Sequence, residues 1–261
     1  MVRSPPSSRI EILNAGGFRS DGRRQYELRA TTFDLAPHAG ADGAARVSHG
    51  LTHVLATVFG PREAKQRAQT AHDRASVHVE VLVPVFGSGE RRRRGRGDKR
   101  TLELAATLKS TFEAAIQTAL YPRAQIELHV HILHQDGSVL AAALNACTLA
   151  LAAAGIPLRE LVCAVSAGAH AAAPLLDLTA LEEQDVPHLT VAVLPRAGTV
   201  VLASMETRLH VDRFAELFAL AGEAGTVLHR EMRRAVGERT TALVDAMGVG
   251  RRREDAMEED E

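Results

Sequence analysis

The stretch "ILHQDGSVLAAALNA", Ile132–Ala146, sets an apolar, β-favouring run against an Ala/Leu-rich segment of helical composition, with Asp136-Gly137-Ser138 between them. A strand that turns through Gly-Ser into a helix N-terminus is an arrangement that holds phosphate, because free N–H groups and the helix dipole both favour an anion there. Yet no Arg or Lys lies between Arg123 and Arg159 to complete such a site. Ser138 also has no base beside it and no GxSxG context, so the residues alone make it an N-cap and not a nucleophile.

Outward from that turn, the pattern alternates strands and helices. Upstream, "AQIELHVHIL" reads as the strand that feeds the turn, and "SVHVEVLVPVF", Ser76–Phe86, alternates as a second strand. "AARVSHGLTHVLATVFGP" reads as strands that stop at Gly60-Pro61. From Thr101, apolar residues at Ala105, Leu108, Phe112, Ala115, Ile116 and Ala119 follow helical spacing, with Asp98 as the cap. Downstream, Ser138–Ala154 is a helix stopped by Gly155 and Pro157, strands are expected at 161–167, 189–195 and 199–206, and a long amphipathic helix presents Val211, Phe214, Phe218, Ala221, Leu228 and Met232 on one face. "VFGPREA" and "AVLPRAG" hold comparable places in the two parts, which points to two related β-α halves.

Bulk properties bound the function. A chain of 261 residues with 46% hydrophobic and 24% charged residues can bury a substantial core. Its net charge of -1 means that any nucleic-acid surface must come from local clustering. With no Trp and only 3% aromatic residues, extended base-stacking platforms are not expected to dominate. Cys147 and Cys163 sit in apolar runs without CxxC spacing, which reads as two buried thiols in a reducing compartment. The N-terminus lacks the apolar core of a signal peptide. The apolar stretch Val139–Leu158 carries Asn145, Thr148, Gly155 and Pro157, and reads as a buried helix plus turn and not a membrane span. Residues 1–8 and 248–261 are expected to be disordered, leaving one domain over 9–247.

Three groups of residues invite chemistry. Arg91, Arg92, Arg93, Arg94, Arg96, Lys99 and Arg100 place seven cations within ten residues, which suits a phosphate backbone as well as a solvated loop or an import signal. Lys99 and Arg100 are the better RNA candidates, because a helix start holds their backbone. His129 and His131 share a strand face near His134, but no third ligand is set by spacing, so solvent-facing histidines are the reading and no metal is expected. Asp177, Glu182, Glu183 and Asp185 in "LLDLTALEEQDVPHL" could serve acid–base work or hold Mg²⁺, and read by composition as an exposed loop.

Taken in order, "FRSDGRRQYELR", "THVLATVFGPREA", "LYPRAQIELHVHIL", "DGSVLAAALNACTLALAAAGIPLREL", "PLLDLTALEE" and "VAVLP" resemble ribonuclease PH-like proteins from about Arg9 to Val236. Within that family the chain is most similar to the eukaryotic RNA exosome ring subunits related to the archaeal exosome's catalytic subunit. The resemblance implies an α+β fold of the ribonuclease PH, ribosomal-S5-domain-2-like type with duplicated β-α units. It also implies a heterodimer within a six-membered ring of such chains, cap subunits, a docked exoribonuclease, single-stranded RNA in the channel, and a place in nucleus, nucleolus and cytoplasm.

Active relatives use phosphate to attack the RNA 3′ end, holding it at a Gly-Ser/Thr-Arg turn, with an Asp beyond "LDL" as general acid. By the resemblance, the triplet falls on Ser138-Val139-Leu140, and the Asp falls near His188 or Leu189. The RNA contacts fall on Arg62, Arg67, Lys99 and Arg100. The expectation is therefore a subunit that guides RNA without catalysis or cofactor, with Gly137 and Ser138 as a relic phosphate loop. Two alternatives stand beside it: an active phosphorolytic 3′→5′ exoribonuclease in which Asp185 replaces the missing acid, and a stand-alone, monomeric basic-loop or metal-binding module.

Overall fold

The computed structural model describes residues 12–14, 16–63, 71–87, 98–170 and 173–247. Residues 1–8, Arg67, the cations Arg91, Arg92, Arg93, Arg94 and Arg96, and the tail from 248 lie outside the described residues.

The alternating segments of the first half form β1 (Thr31–Leu35), β2 (Gly43–His49), β3 (Thr52–Glu63), β4 (Ser76–Leu82) and β5 (Ala124–His134). They make one sheet in the order β1-β2-β3-β5-β4. Every pairing is antiparallel except β4 with β5, which run parallel. Parallel neighbours need a crossover, and α1 (Lys99–Ala115) supplies it. Its Leu108, Thr111, Phe112 and Ala115 are buried at the spacing read from the sequence. Asp98 stands at the N-cap without a side-chain capping bond.

The second half builds β6 (Cys163–His170), β7 (Ala173–Leu176), α3 (Ala180–Asp185), β8 (His188–Leu194) and β9 (Thr199–Met205), a sheet in the order β7-β6-β8-β9, closed by α4 (Val211–Ala246). Between the sheets lies α2 (Val139–Ala153), which packs on β2 and β3 on one side and β6 on the other. A helix that is apolar all round must be covered all round, and every residue from Ala141 to Leu151 is buried. Its two polar residues serve the second sheet. Asn145 donates to the Ala164 carbonyl at 3.0 Å and accepts from the Ala164 N–H at 2.8 Å, and the Thr148 hydroxyl reaches the Val162 carbonyl at 3.1 Å. Among the described residues no helix is long and apolar enough to cross a membrane. Both cysteines are free and buried.

The structure departs from the pattern reading in four places. β3 does not stop at Gly60-Pro61: its pairing slips between Phe59 and Arg62 and then resumes to Glu63, because a bulge accommodates a residue that lacks an N–H. β4 ends at Leu82, and Pro84–Gly87 turn away from it. The acidic stretch read as a loop contains α3, opened by a capping box between Thr179 and Glu182. On α4 the buried stripe is Leu217, Ala221, Ala224, Gly225, Leu228 and Met232, while Val211 is 76% exposed and Phe214 and Phe218 stack on its margin. The helix is rotated so that small residues approach the sheet closely.

Replacing Asn145 by Leu removes both partners of the Ala164 backbone inside the core. Two unsatisfied buried groups should lower stability by about 2–5 kcal/mol, read as a drop in denaturant midpoint at unchanged m-value. A loss below about 1 kcal/mol would mean that β6 does not depend on this tie.

Candidate functional site

Between β5 and α2 the backbone turns through two left-handed residues, Gly137 at φ +74 and Ser138 at φ +53. Only glycine fits the first, since a Cβ there would stand 2.4 Å from the Leu178 carbonyl. Ser138 occupies the N-cap position but makes no side-chain capping bond. Its hydroxyl is buried, bonded to the Ser166 hydroxyl and donating to the Leu178 carbonyl at 3.0 Å. Its N–H, one of the free donors at the start of α2, points to Glu183, whose Oε1 accepts at 2.6 Å. A carboxylate of this chain therefore sits where an anion would dock.

The turn is held from outside by Arg29, in the segment just before β1. The Arg29 N–H and Nε donate to Asp177 Oδ2 at 2.9 and 3.0 Å, and Nη2 donates to Oδ1 at 2.6 Å. The same guanidinium reaches the carbonyls of Asp136 and Gly137. Thr52 completes the brace, its hydroxyl donating to the Gly137 carbonyl at 2.8 Å and accepting from the Asp136 N–H at 3.1 Å. Nearby, Arg19 grips both carboxylate oxygens of Glu182 and donates to the Leu176 and Asp177 carbonyls. Burial alone would raise the Asp177 carboxyl, but the hydrogen bonds and charge of Arg29 outweigh it and hold it well below the usual carboxylate range. Glu182 is lowered in the same way, burial being outweighed by Arg19. His49, beside Asp177, is pushed by burial down to about 4 and is neutral at physiological pH.

Two of the four acids considered for acid–base work, Asp177 and Glu182, are thus structural. Asp185 is exposed and does not line the cavity that opens beside the Ser138 turn. That cavity measures about 600 Å³ and is lined by Arg100, Glu103, Ser138, Leu140, Glu183, His188 and Glu206, among others. Arg100 is the one Lys or Arg in its lining among the described residues. Glu183 is the carboxyl whose titration is disturbed towards protonation. Burial raises its pKa against the opposing pull of the Ser138 N–H. Glu183 thus shares the cavity with Arg100 and the N-terminus of α2, and perturbed carboxyls of this kind gather at functional sites.

The remaining sequence candidates scatter. Lys99 opens α1 next to Arg100 but does not line the cavity. Arg62 lies at the far end of β3, paired with Asp42 at 2.9 Å. His129 stands between Glu80 and Glu127, at 3.5 and 3.7 Å. No group of three or more His, Cys, Asp or Glu among the described residues is placed to hold a metal. Sequence reasoning missed Arg19, Arg29 and Arg23, which donates to the Asp177 carbonyl at 3.1 Å. Their signal was present in "FRSDGRRQYELR", a polar stretch too arginine-rich for a plain turn.

Replacing Asp177 by Asn leaves Arg29 buried with half its partners, and breaking such a pair costs about 3–5 kcal/mol. The pH dependence has a definite sign. A carboxyl lowered on folding stabilises fully above its unfolded pKa of about 3.9 and loses that contribution as pH falls through the folded value. Thermal melts from pH 7 to pH 2 should show a steeper acid-limb loss in the wild type than in D177N, where Glu182, lowered by Arg19, still contributes. Parallel acid limbs would refute the pairing as the source.

Residues 27–157 match the family model described as the 3′ exoribonuclease family, domain 1, and residues 160–224 match its domain 2. The human protein named exosome complex component RRP41 is 42% identical over 242 residues, 90% of this chain and 99% of its own. The archaeal Rrp41 of Thermococcus onnurineus is 33% identical over 245 residues, 92% and 97% of the two chains. A solved structure described as the Archaeoglobus fulgidus exosome with RNA bound to the active site superposes with a TM-score of 0.72 over 83% of this chain and 93% of that one; at 22% identity the likeness is one of fold. These matches correct the expectation of a non-enzyme. The family is one of 3′ exoribonucleases, with an archaeal Rrp41 among the relatives.

Proposed function

The chain belongs to the ribonuclease PH-type 3′ exoribonuclease family, and from that premise we propose that it is a core ring subunit of an RNA exosome that handles single-stranded RNA for 3′→5′ processing and decay. The observation that carries this reading is the cavity between the halves, where Arg100, the Ser138 turn and Glu183 converge. The partners of this reading are other ribonuclease PH-like chains in the ring, with cap subunits and a docked exoribonuclease, in nucleus, nucleolus and cytoplasm. Lys99 and Arg100 are the RNA-facing cations of this reading, and Arg62, Arg67 and the arginines at 91–94 and 96 are its further RNA-contact candidates by sequence.

Glu183 favours a phosphorolytic role for the same cavity. In that role inorganic phosphate attacks the terminal phosphodiester, the P–O bond to the preceding ribose breaks, and a nucleoside diphosphate leaves. Arg100 faces the phosphates, and Glu183 gives its proton to the departing ribose oxygen. Leu140 is the weak point, because a charge-assisted Arg–phosphate contact contributes roughly 1.5–3 kcal/mol.

Three variants test the reading in the assembled ring, with 5′-labelled RNA and added inorganic phosphate. Lys99 and Arg100 both changed to Glu should weaken RNA binding by about tenfold or more at unchanged assembly. Leu140→Arg should lower the phosphate concentration needed for half-maximal diphosphate release by about tenfold or more. Glu183→Gln should slow that release by about 10²–10⁴-fold at unchanged RNA affinity. RNA that binds but yields no nucleoside diphosphate, even with Leu140→Arg, would leave the RNA-handling role and remove the phosphorolytic one.

A further inference from the structure

At the end of the first sheet, away from the cavity, three side chains from two strands are built into one another. The pairing slip in β3 places Phe59 opposite Glu127 and Arg62 opposite Gln125, so two β3 residues face one on β5. A bulge re-aims the side chain that follows it, and here it returns Arg62 to the face of Phe59. The bulge is fixed by Gly60, at φ +128, where a Cβ would stand 2.7 Å from the Gln125 carbonyl. The Arg62 guanidinium lies over the Phe59 ring, 5.2 Å from its centroid. The His129 ring meets Phe59 edge-on, at 5.6 Å and 73°.

Arg62 is also already neutralised. Asp42 Oδ2 accepts from Arg62 Nη2 at 2.9 Å and from the Gly60 N–H at 2.8 Å, tying both ends of the bulge to one carboxylate. Carboxylates stand at both nitrogens of His129 as well, from Glu80 and Glu127. A cation that serves the RNA backbone contributes by releasing counterions, and it needs a free charge to do so. Arg62 would first have to give up Asp42. Its delocalised plane, by contrast, remains available: the side chain is 60% exposed while its position over Phe59 is set. An ordered guanidinium over an aromatic ring is a surface on which an unpaired base stacks.

We propose that Arg62, Phe59 and His129 form a nucleobase-stacking platform for single-stranded RNA, and that Arg62 is not a phosphate contact. The proposal rests on the reading of the chain as an RNA-handling subunit. It adds a site that takes bases, on the outer face of the first sheet, to a surface otherwise described by its cations. The platform tolerates every base, since each has a π-face, and so it grips the strand without selecting sequence.

The test uses the full chain, alone and in the assembled ring, with two labelled probes of equal length: an oligoadenylate and an abasic oligoribose phosphate. Arg62→Lys keeps the charge and removes the plane. It should weaken oligoadenylate binding by about fivefold or more, leave abasic binding unchanged, and leave the slope of log affinity against log salt unchanged. Phe59→Leu, which keeps an apolar side chain in the bulge, should show the same pattern, with melts confirming that both variants fold. Arg62→Lys at wild-type affinity, with Arg62→Gln weakening both probes and lowering the salt slope by about one, would identify a phosphate contact and overturn the platform. If the wild type binds RNA and neither Arg62→Lys nor Phe59→Leu changes it, the platform falls and the RNA-handling reading stands. If the wild type binds neither probe, that reading falls first and takes the platform with it.

Discussion

The Arg29–Asp177 pair is the constraint from which the rest of the site follows. Asp177 comes from the second half, in a left-handed conformation that is uncommon outside glycine and best tolerated by Asn and Asp. Arg29 comes from the run into β1, and its guanidinium also holds the carbonyls of the turn that opens α2. A buried ion pair is weak evidence for stability, because removing two charges from water offsets most of their attraction. What it fixes is geometry. With five donors in a rigid fork, Arg29 admits one arrangement of the sheet edge, the turn and the second half. The cavity beside Ser138 therefore takes its shape from a residue that does not line it, and Arg19 with Glu182 repeats the device one helical turn further on.

How much of this was legible follows from the range of the interactions. The burial of α2, the alternation of β5 and the buried positions of α1 are local patterns, and a window of a dozen residues contains them. The capping box of α3 was local too, in Thr179-Ala180-Leu181-Glu182, and was hidden by reading the acidic stretch for its charge and not for its spacing. The arginine anchors showed as a cluster, but what they hold was not legible, because their partners lie 148 and 163 residues away. No periodicity reports a contact of that separation.

At the turn itself the reading of the sequence rested on Leu140 and on one missing acid. Leu140 does stand in the cavity where the relatives' pattern puts a cation, and no other Arg or Lys among the described residues joins Arg100 in the lining. From that, inactivity was inferred. The family match does not bear that inference out, and the fold sets a different carboxyl beside the turn. Asp185 faces solvent, but Glu183, two residues earlier and on the inner face of α3, reaches the N–H of Ser138. A short helix turns side chains two residues apart to different faces, and counting back along the chain cannot see that rotation.

One feature of α2 extends beyond the site. The two family domains meet in the chain between residues 157 and 160, just after this helix, and on paper the protein divides there. Physically the division runs through the middle of a packed layer, since α2 belongs to the first domain by sequence while β6 of the second covers its far side. Neither half has a complete interior without the other. The boundary between the two family domains is therefore not a boundary of packing, and one interior serves both.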